Sequence, residues 1–193
     1  MRVAVSGADG RLGRALVSAL EDAPFAGIAG PIAWTRTEFD LDRPLDIEGL
    51  IERDRPEVVI HAAAWTDVDG CARDPGLALA RNGLATEQLA LTCASRSIDL
   101  VVISTNEVFG GGRLDHHGYG PLDLPDPPNP YGASKLAGER GARRAYAGAN
   151  TRAQLATVRT SWLFGPGKPD FPAKILAAAE RAAAAGETLR AVG

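Results

Sequence analysis

Tyr131 and Lys135 stand four residues apart in the segment Asn129-Pro130-Tyr131-Gly132-Ala133-Ser134-Lys135. Pro130 suits the first position of a helix. Tyr131 and Lys135 then fall at i and i+4, stacked on one face. A phenol ordinarily titrates at about pH 10, and an ammonium beside it favours the phenolate. The spacing therefore predicts a tyrosine whose pKa its lysine lowers, able to exchange a proton near neutrality as a general acid or base. Helices often carry a surface tyrosine and lysine at this spacing, so the pair says little alone. Its context says more, because it follows a glycine-rich turn and a strand that ends in Ser104-Thr105. In an open parallel sheet, ligands sit beyond the carboxyl ends of the strands. A hydroxyl there is placed to hydrogen-bond a carbonyl or an alcohol.

The turn is Gly7-x-x-Gly10-x-x-Gly13, set between an apolar strand and an amphipathic helix. Glycine permits the tight bend and lets the backbone approach a pyrophosphate, while the helix N-terminus supplies N–H groups and partial positive charge. About 20 residues further on, an NAD site carries an acid at the end of the second strand. Here that region reads Trp34-Thr35-Arg36-Thr37-Glu38. Arg36, with help from Arg11 or Arg14, suits a 2′-phosphate, which favours NADP(H) and leaves NAD(H) as the alternative. Asp40-Leu41-Asp42 follows, either bordering an adenine or forming a turn or cap.

The elements that must hold these groups alternate. Residues 2–6 read as a buried strand, and Leu12, Ala15, Leu16, Ala19 and Leu20 mark one helical stripe. Further strands are expected near 28–35, at 57–62, 99–104 and 155–161, with helices near 47–53, at 77–94, 131–147 and 171–185. A last strand is expected to begin near Thr188. The Gly-, Pro- and Asp-rich stretch 110–130 is a long loop of the functional kind. Strand–helix alternation argues an α/β fold, a doubly wound parallel sheet of Rossmann-like type.

Composition bounds the rest. The chain has 193 residues, 45% hydrophobic and 23% charged, which fits a globular protein of one domain. Twenty-one Lys and Arg against 24 Asp and Glu leave a net charge of −3, so no nucleic-acid partner is expected. No apolar run reaches membrane-spanning length, and the N-terminus lacks a signal-peptide pattern. Cys71 and Cys93 lack metal spacing and read as buried small hydrophobes. His116 and His117 have no third ligand nearby, so no metal is expected. His61, at a strand end, reads as structural, and Asn82 is a candidate tie between ligand-binding loops. A cytoplasmic setting fits these features.

GADGRLG at 7–13, HAAA at 61–64, STNEVFG at 104–110 and YGASK at 131–135 resemble the extended short-chain dehydrogenase/reductase family. HAAAWTDVDGCARDP at 61–75, NPYGASKLAGE at 129–139 and RTSWLFGPG at 159–167 resemble its branch that reduces 4-keto sugar nucleotides for deoxysugar synthesis. The resemblance implies that Tyr131 protonates the C4 oxygen as hydride arrives, Lys135 holds the nicotinamide ribose and Thr105 orients the carbonyl. It further implies that Gly7, Gly10 and Leu12 cradle the pyrophosphate and that Ala62, Ala63 and Ala64 line the ribose side. Val68, Asp69 and Trp162 match positions that contact the sugar nucleotide, and Glu107 joins them. Glu107 also resembles the base of the 4,6-dehydratases, although Asn106 stands where those enzymes carry an acid. A dehydratase or epimerase is thus the alternative activity, and a non-catalytic NADP-binding regulatory subunit the alternative of another class. The implied partner is a sugar nucleotide, and a homodimer is left open. Residues from about 162 on would begin a substrate-binding part, and that C-terminal domain is expected to be largely absent.

Overall fold

The computed structural model describes residues 1–22, 30–112, 117–165 and 171–188. Five strands form one parallel sheet: β1 (Val3–Ser6), β2 (Ile32–Trp34), β3 (Val58–His61), β4 (Asp99–Thr105) and β5 (Leu155–Thr160), in the order β2-β1-β3-β4-β5. The helices are α1 (Arg11–Glu21), α2 (Ile47–Asp54), α3 (Val68–Arg73), α4 (Pro75–Ala78), α5 (Ala85–Ser95), α6 (Pro130–Gly148) and α7 (Phe171–Ala184). This is the doubly wound α/β sheet that the alternation implies. The strand order reverses between β1 and β3, which opens a crevice at their carboxyl ends.

Strand side chains alternate between the two faces, as the pleat requires. Val3 and Val5 pack with Leu16, Val17 and Leu20 of α1, joined by Val58 and Ile60. Ala4, Val59, Leu100 and Val102 face the other way, into a larger core with Leu50 and Ile51 of α2, Leu89 and Cys93 of α5, and Ala142 and Ala145 of α6. Both cysteines are free and buried.

Three local features depart from the sequence reading. The helix expected at 77–94 begins at Pro75 and passes through a π-helical turn, Leu79–Leu84, before α5. A wider turn leaves no mark in apolar spacing, because the periodicity is judged over a longer window. The short helix α3 has no stripe long enough to be read. It is made by its cap, the Asp67 carboxylate accepting the Gly70 N–H at 3.0 Å. The second strand is confined among described residues to Ile32–Trp34. The strand expected near Thr188 falls almost wholly on residues 189–193, outside the described residues, as do the loop positions 113–116 with His116.

The chain divides into two compact units, Met1–Ser161 and Trp162–Gly193. In the second, Trp162 meets Phe171 edge to face, with ring centroids 4.3 Å apart. Among the described residues no helix is long and apolar enough to cross a membrane.

Candidate active site

The glycine turn lies against the loop after β3. Gly7 has φ +68°, and a Cβ there would come within 2.8 Å of the Ala63 backbone. A Cβ on Gly13 would stand 2.1 Å from the Gly7 carbonyl oxygen. Only glycine therefore lets α1 start this close to β1 and to the Ala62–Ala63 backbone. Gly10 is the N-cap of α1 and brings no capping side chain, so the first turn presents backbone N–H groups alone.

Gly7, Gly10, Arg36, Asp40, Leu41, Ala62, Ala63 and Ala64 line one groove at the switch point. These are eight of the positions expected to hold a cofactor. Arg11 and Leu12 sit in the first turn of α1, beside the groove and not among its lining residues. Asp9, Phe39, Trp65 and Arg81 also line it, and no sequence spacing marks them as cofactor contacts. Arg81 grips Asp42 through two hydrogen bonds of 2.6 Å and lies over the Trp65 ring, 5.1 Å from its centroid. The hydrogen bond from Arg81 holds the Asp42 carboxyl below its usual range. Asp42 thus serves as a clamp between the β2 loop and the π-helical turn. No spacing rule links residues so far apart in sequence.

The floor of glycine and alanine, the uncapped helix start and the arginine on the rim together fit a dinucleotide. Among the described residues no group of His, Cys, Asp and Glu is placed to hold a metal ion.

The second cluster lies at the carboxyl end of β4. Thr105 ends β4, and Tyr131 and Lys135 stand in the first turns of α6, which packs on that strand. Thr105 caps the following 3₁₀ turn by accepting the Glu107 N–H at 3.1 Å. The Thr105 hydroxyl lies close enough to the Tyr131 phenol to favour its ionised form. Asn129 caps α6 by accepting the Gly132 N–H at 2.8 Å, and its amide donates to Glu107 Oε2 at 2.6 Å. Glu107 is thereby drawn to the start of α6, beside Tyr131.

The electrostatics correct the expected role of Lys135. The lysine does not lower the tyrosine. Burial holds the Tyr131 phenol above its ordinary value; the Thr105 hydroxyl opposes this, and the charge of Glu107 adds to it. Lys135 is itself pushed down to about 8 by burial, against the pull of Glu139. Desolvation disfavours both charged forms. At neutral pH the phenol keeps its proton, the form that serves as an acid.

Ser104, considered beside Thr105 as a ligand contact, is turned elsewhere. Its hydroxyl donates to Glu139 Oε1 at 2.5 Å. Val68 and Asp69 occupy the first turn of α3, exposed to solvent. Trp162 belongs to the second unit.

His61 and Asn82 knit the two clusters together. His61 is fully buried; its Nδ1 lies 2.8 Å from Ser6 Oγ and its Nε2 lies 3.1 Å from Thr86 Oγ1. Thr86 gives its own proton to the Asn82 carbonyl at 2.8 Å. Its oxygen must then accept from Nε2–H, which leaves Nδ1 to accept from Ser6. Burial, with the nearby Lys135 charge, drives His61 down to about 3, so it stays neutral. Asn82 Oδ1 accepts the Trp65 N–H at 2.8 Å; its Nδ2 donates to the Trp65 carbonyl at 2.9 Å and to Ser134 Oγ at 3.0 Å.

Residues 1–191 match the family described as the RmlD substrate binding domain. The chain is 35% identical over 176 residues to a dTDP-4-dehydrorhamnose reductase of Streptomyces griseus, covering 89% of this chain and 53% of that protein. It is 34% identical over 173 residues to a dTDP-4-keto-6-deoxy-D-glucose reductase of Streptomyces niveus, covering 89% and 56%. Among solved structures it resembles a dTDP-4-dehydrorhamnose reductase of Bacillus anthracis in complex with NADP. That match has TM-score 0.79 and 30% identity, over 93% of this chain and 60% of that one. The chain spans about half the length of the curated relatives it matches.

Proposed function

The chain belongs to the RmlD substrate binding domain family, and on that premise we propose that it serves the NADPH-dependent reduction of a 4-keto sugar nucleotide, as in dTDP-rhamnose synthesis. The observation that carries this reading is the half-buried Tyr131 at the start of α6, whose phenol burial raises so that it keeps its proton, next to the β4 end that carries Thr105. A bound nicotinamide would supply the hydride. The residues of this chain do the rest. Gly7, Gly10 and Leu12 receive the pyrophosphate at the start of α1, and Arg11 stands there to help Arg36. Arg36 meets the 2′-phosphate, which favours NADPH over NADH. Ala62, Ala63 and Ala64 line the ribose side, and Asp40 and Leu41 border the adenine. Lys135 holds the nicotinamide ribose. Thr105 orients the carbonyl, and Tyr131 delivers its proton to the oxygen at C4.

Val68, Asp69, Glu107 and Trp162 are assigned to the sugar nucleotide. The division after Ser161 supports the assignment of residues from about 162 on to a substrate-binding part. The hydrogen bond from Asn129 to Glu107 supports a role in holding the start of α6 and weighs against its use as a dehydratase base. A cytoplasmic enzyme free of nucleic acid, with a homodimer open to it, completes the reading; two buried free thiols support the reducing compartment.

Titration calorimetry with NADPH and NADH tests the first half. Binding of NADPH with weaker binding of NADH is the expected result, followed by turnover of a dTDP-linked 4-keto-6-deoxy sugar. A folded chain that binds neither nucleotide overturns the reading. Binding without turnover favours the regulatory alternative.

A further inference from the structure

Glu139 is 1% exposed, yet both its oxygens are engaged. Oε1 accepts Ser104 Oγ at 2.5 Å and Arg159 Nε at 3.0 Å; Oε2 accepts Arg159 Nη2 at 2.6 Å. The partners come from two strands. Ser104 stands on β4 immediately before Thr105, and Arg159 is its register partner on β5. One carboxylate on α6 therefore fixes the helix to two adjacent strands by charge-assisted, directional bonds. On α6 itself, Tyr131, Lys135 and Glu139 follow at four-residue intervals along one face.

A buried ion pair is weak evidence for stability, since well-packed apolar residues often do as well. What this one supplies is position. It joins the residue preceding Thr105 to the helix that carries Tyr131 and Lys135. It also places a negative charge one turn beyond Lys135, which is 4% exposed. Among the described residues, Glu139 is the charge that acts on the lysine. His61 on β3 is neutral, Tyr131 on α6 keeps its proton, and Arg159 on β5 is cationic.

We propose that Glu139 is a positioning residue for the reduction: clamped by Ser104 and Arg159, it sets the Tyr131–Lys135 face of α6 against Thr105 and presents its charge to Lys135. The proposal rests on the reading of Tyr131 and Lys135 given above.

The chain has three lysines, Lys135, Lys168 and Lys174. Carbon-13 NMR of lysine labelled at Cε therefore resolves Lys135 once Lys168→Arg and Lys174→Arg have assigned the other two signals. In the unmutated chain Lys135 is expected to titrate at about 8. Glu139→Gln should lower that midpoint by about one unit or more, a tenfold loss of proton affinity. Arg159→Gln removes the cation that offsets Glu139 and should raise the midpoint. A structural role alone moves neither midpoint in a folded chain, and unfolding moves both toward the free-lysine value. A folded Glu139→Gln chain with the Lys135 midpoint unchanged overturns the proposal. So does a folded Arg159→Gln chain with no rise, which keeps the test open where Glu139→Gln fails to fold. The titration needs no nucleotide, so it is read independently of whether the chain binds NADPH.

Discussion

Asn82 Nδ2 donates to Ser134 Oγ at 3.0 Å, joining the π-helical turn to the helix that carries Tyr131 and Lys135. The same side chain holds both backbone groups of Trp65, beside the groove. One amide therefore sets the distance between the candidate cofactor groove and the candidate acid.

Asn82→Ala is expected to leave the Trp65 N–H unpartnered and its carbonyl with only the weak Cys71 Sγ donor at 3.6 Å, in a half-buried loop. An unpartnered group costs roughly 1–3 kcal/mol, so denaturant unfolding should show a loss of at least about 1–3 kcal/mol. Asn82→Asp keeps the acceptor but loses the two donated bonds, and should fall between. Unfolding midpoints for both variants equal to that of the unmutated chain would show that the tie contributes nothing.

Tyr131→Phe removes the proton that the proposed reduction needs and little else. Acid–base groups in position contribute about 10²–10⁴-fold, so kcat should fall by that factor in any form of the protein that turns over a keto sugar. Nucleotide affinity, measured by calorimetry, should stay within about twofold, since one hydroxyl is lost outside the groove. A phenylalanine variant that works at the original rate assigns the acid elsewhere.

Arg36 lines the groove. Arg36→Ala should weaken NADPH binding by about 10–100-fold, the worth of a charge-assisted bond to phosphate, and leave NADH nearly unchanged. Equal losses for both nucleotides would place Arg36 on a part of the cofactor that they share. Arg81 is a useful contrast. Asp42 already engages its guanidinium, so Arg81→Ala should weaken both nucleotides alike by loosening the β2 loop.

Much of this arrangement is legible in the sequence, and the reason is local. Gly7, Gly10 and Gly13 announce a turn because sterics allow no other residue at Gly7 and Gly13. Pro130 and Asn129 announce the start of α6, which fixes where Tyr131 and Lys135 stand relative to each other. What is not legible depends on contacts between distant segments. The Arg81–Asp42 clamp and the turning of Ser104 to Glu139 each join elements that no short window contains. The direction in which the Tyr131 pKa moves is not legible for the same reason. The helix places Lys135 one turn away, but the burial of both side chains is set by the packing of α6 on the sheet and on α5.

His61 gives a prediction with a definite sign. Its proton affinity in the folded chain is depressed to about 3, chiefly by burial, against about 6.5 in an unfolded chain. Between those values the unfolded chain binds one more proton, so stability rises with pH by up to about 1.4 kcal/mol per unit. Read downward, stability from this group is complete above about pH 6.5 and falls steadily as the solution is acidified toward 3. The lowered carboxyls of Asp42 and Asp54 act only near and below their ordinary range, and Lys135 acts above about 8. The interval from about pH 6 to 5 therefore isolates the histidine. Urea unfolding across it should show the slope in the unmutated chain. His61→Asn, which keeps a donor and an acceptor between Ser6 and Thr86 without titrating, should be flat there. A slope in the variant equal to that in the parent would mean that some other group takes up the proton.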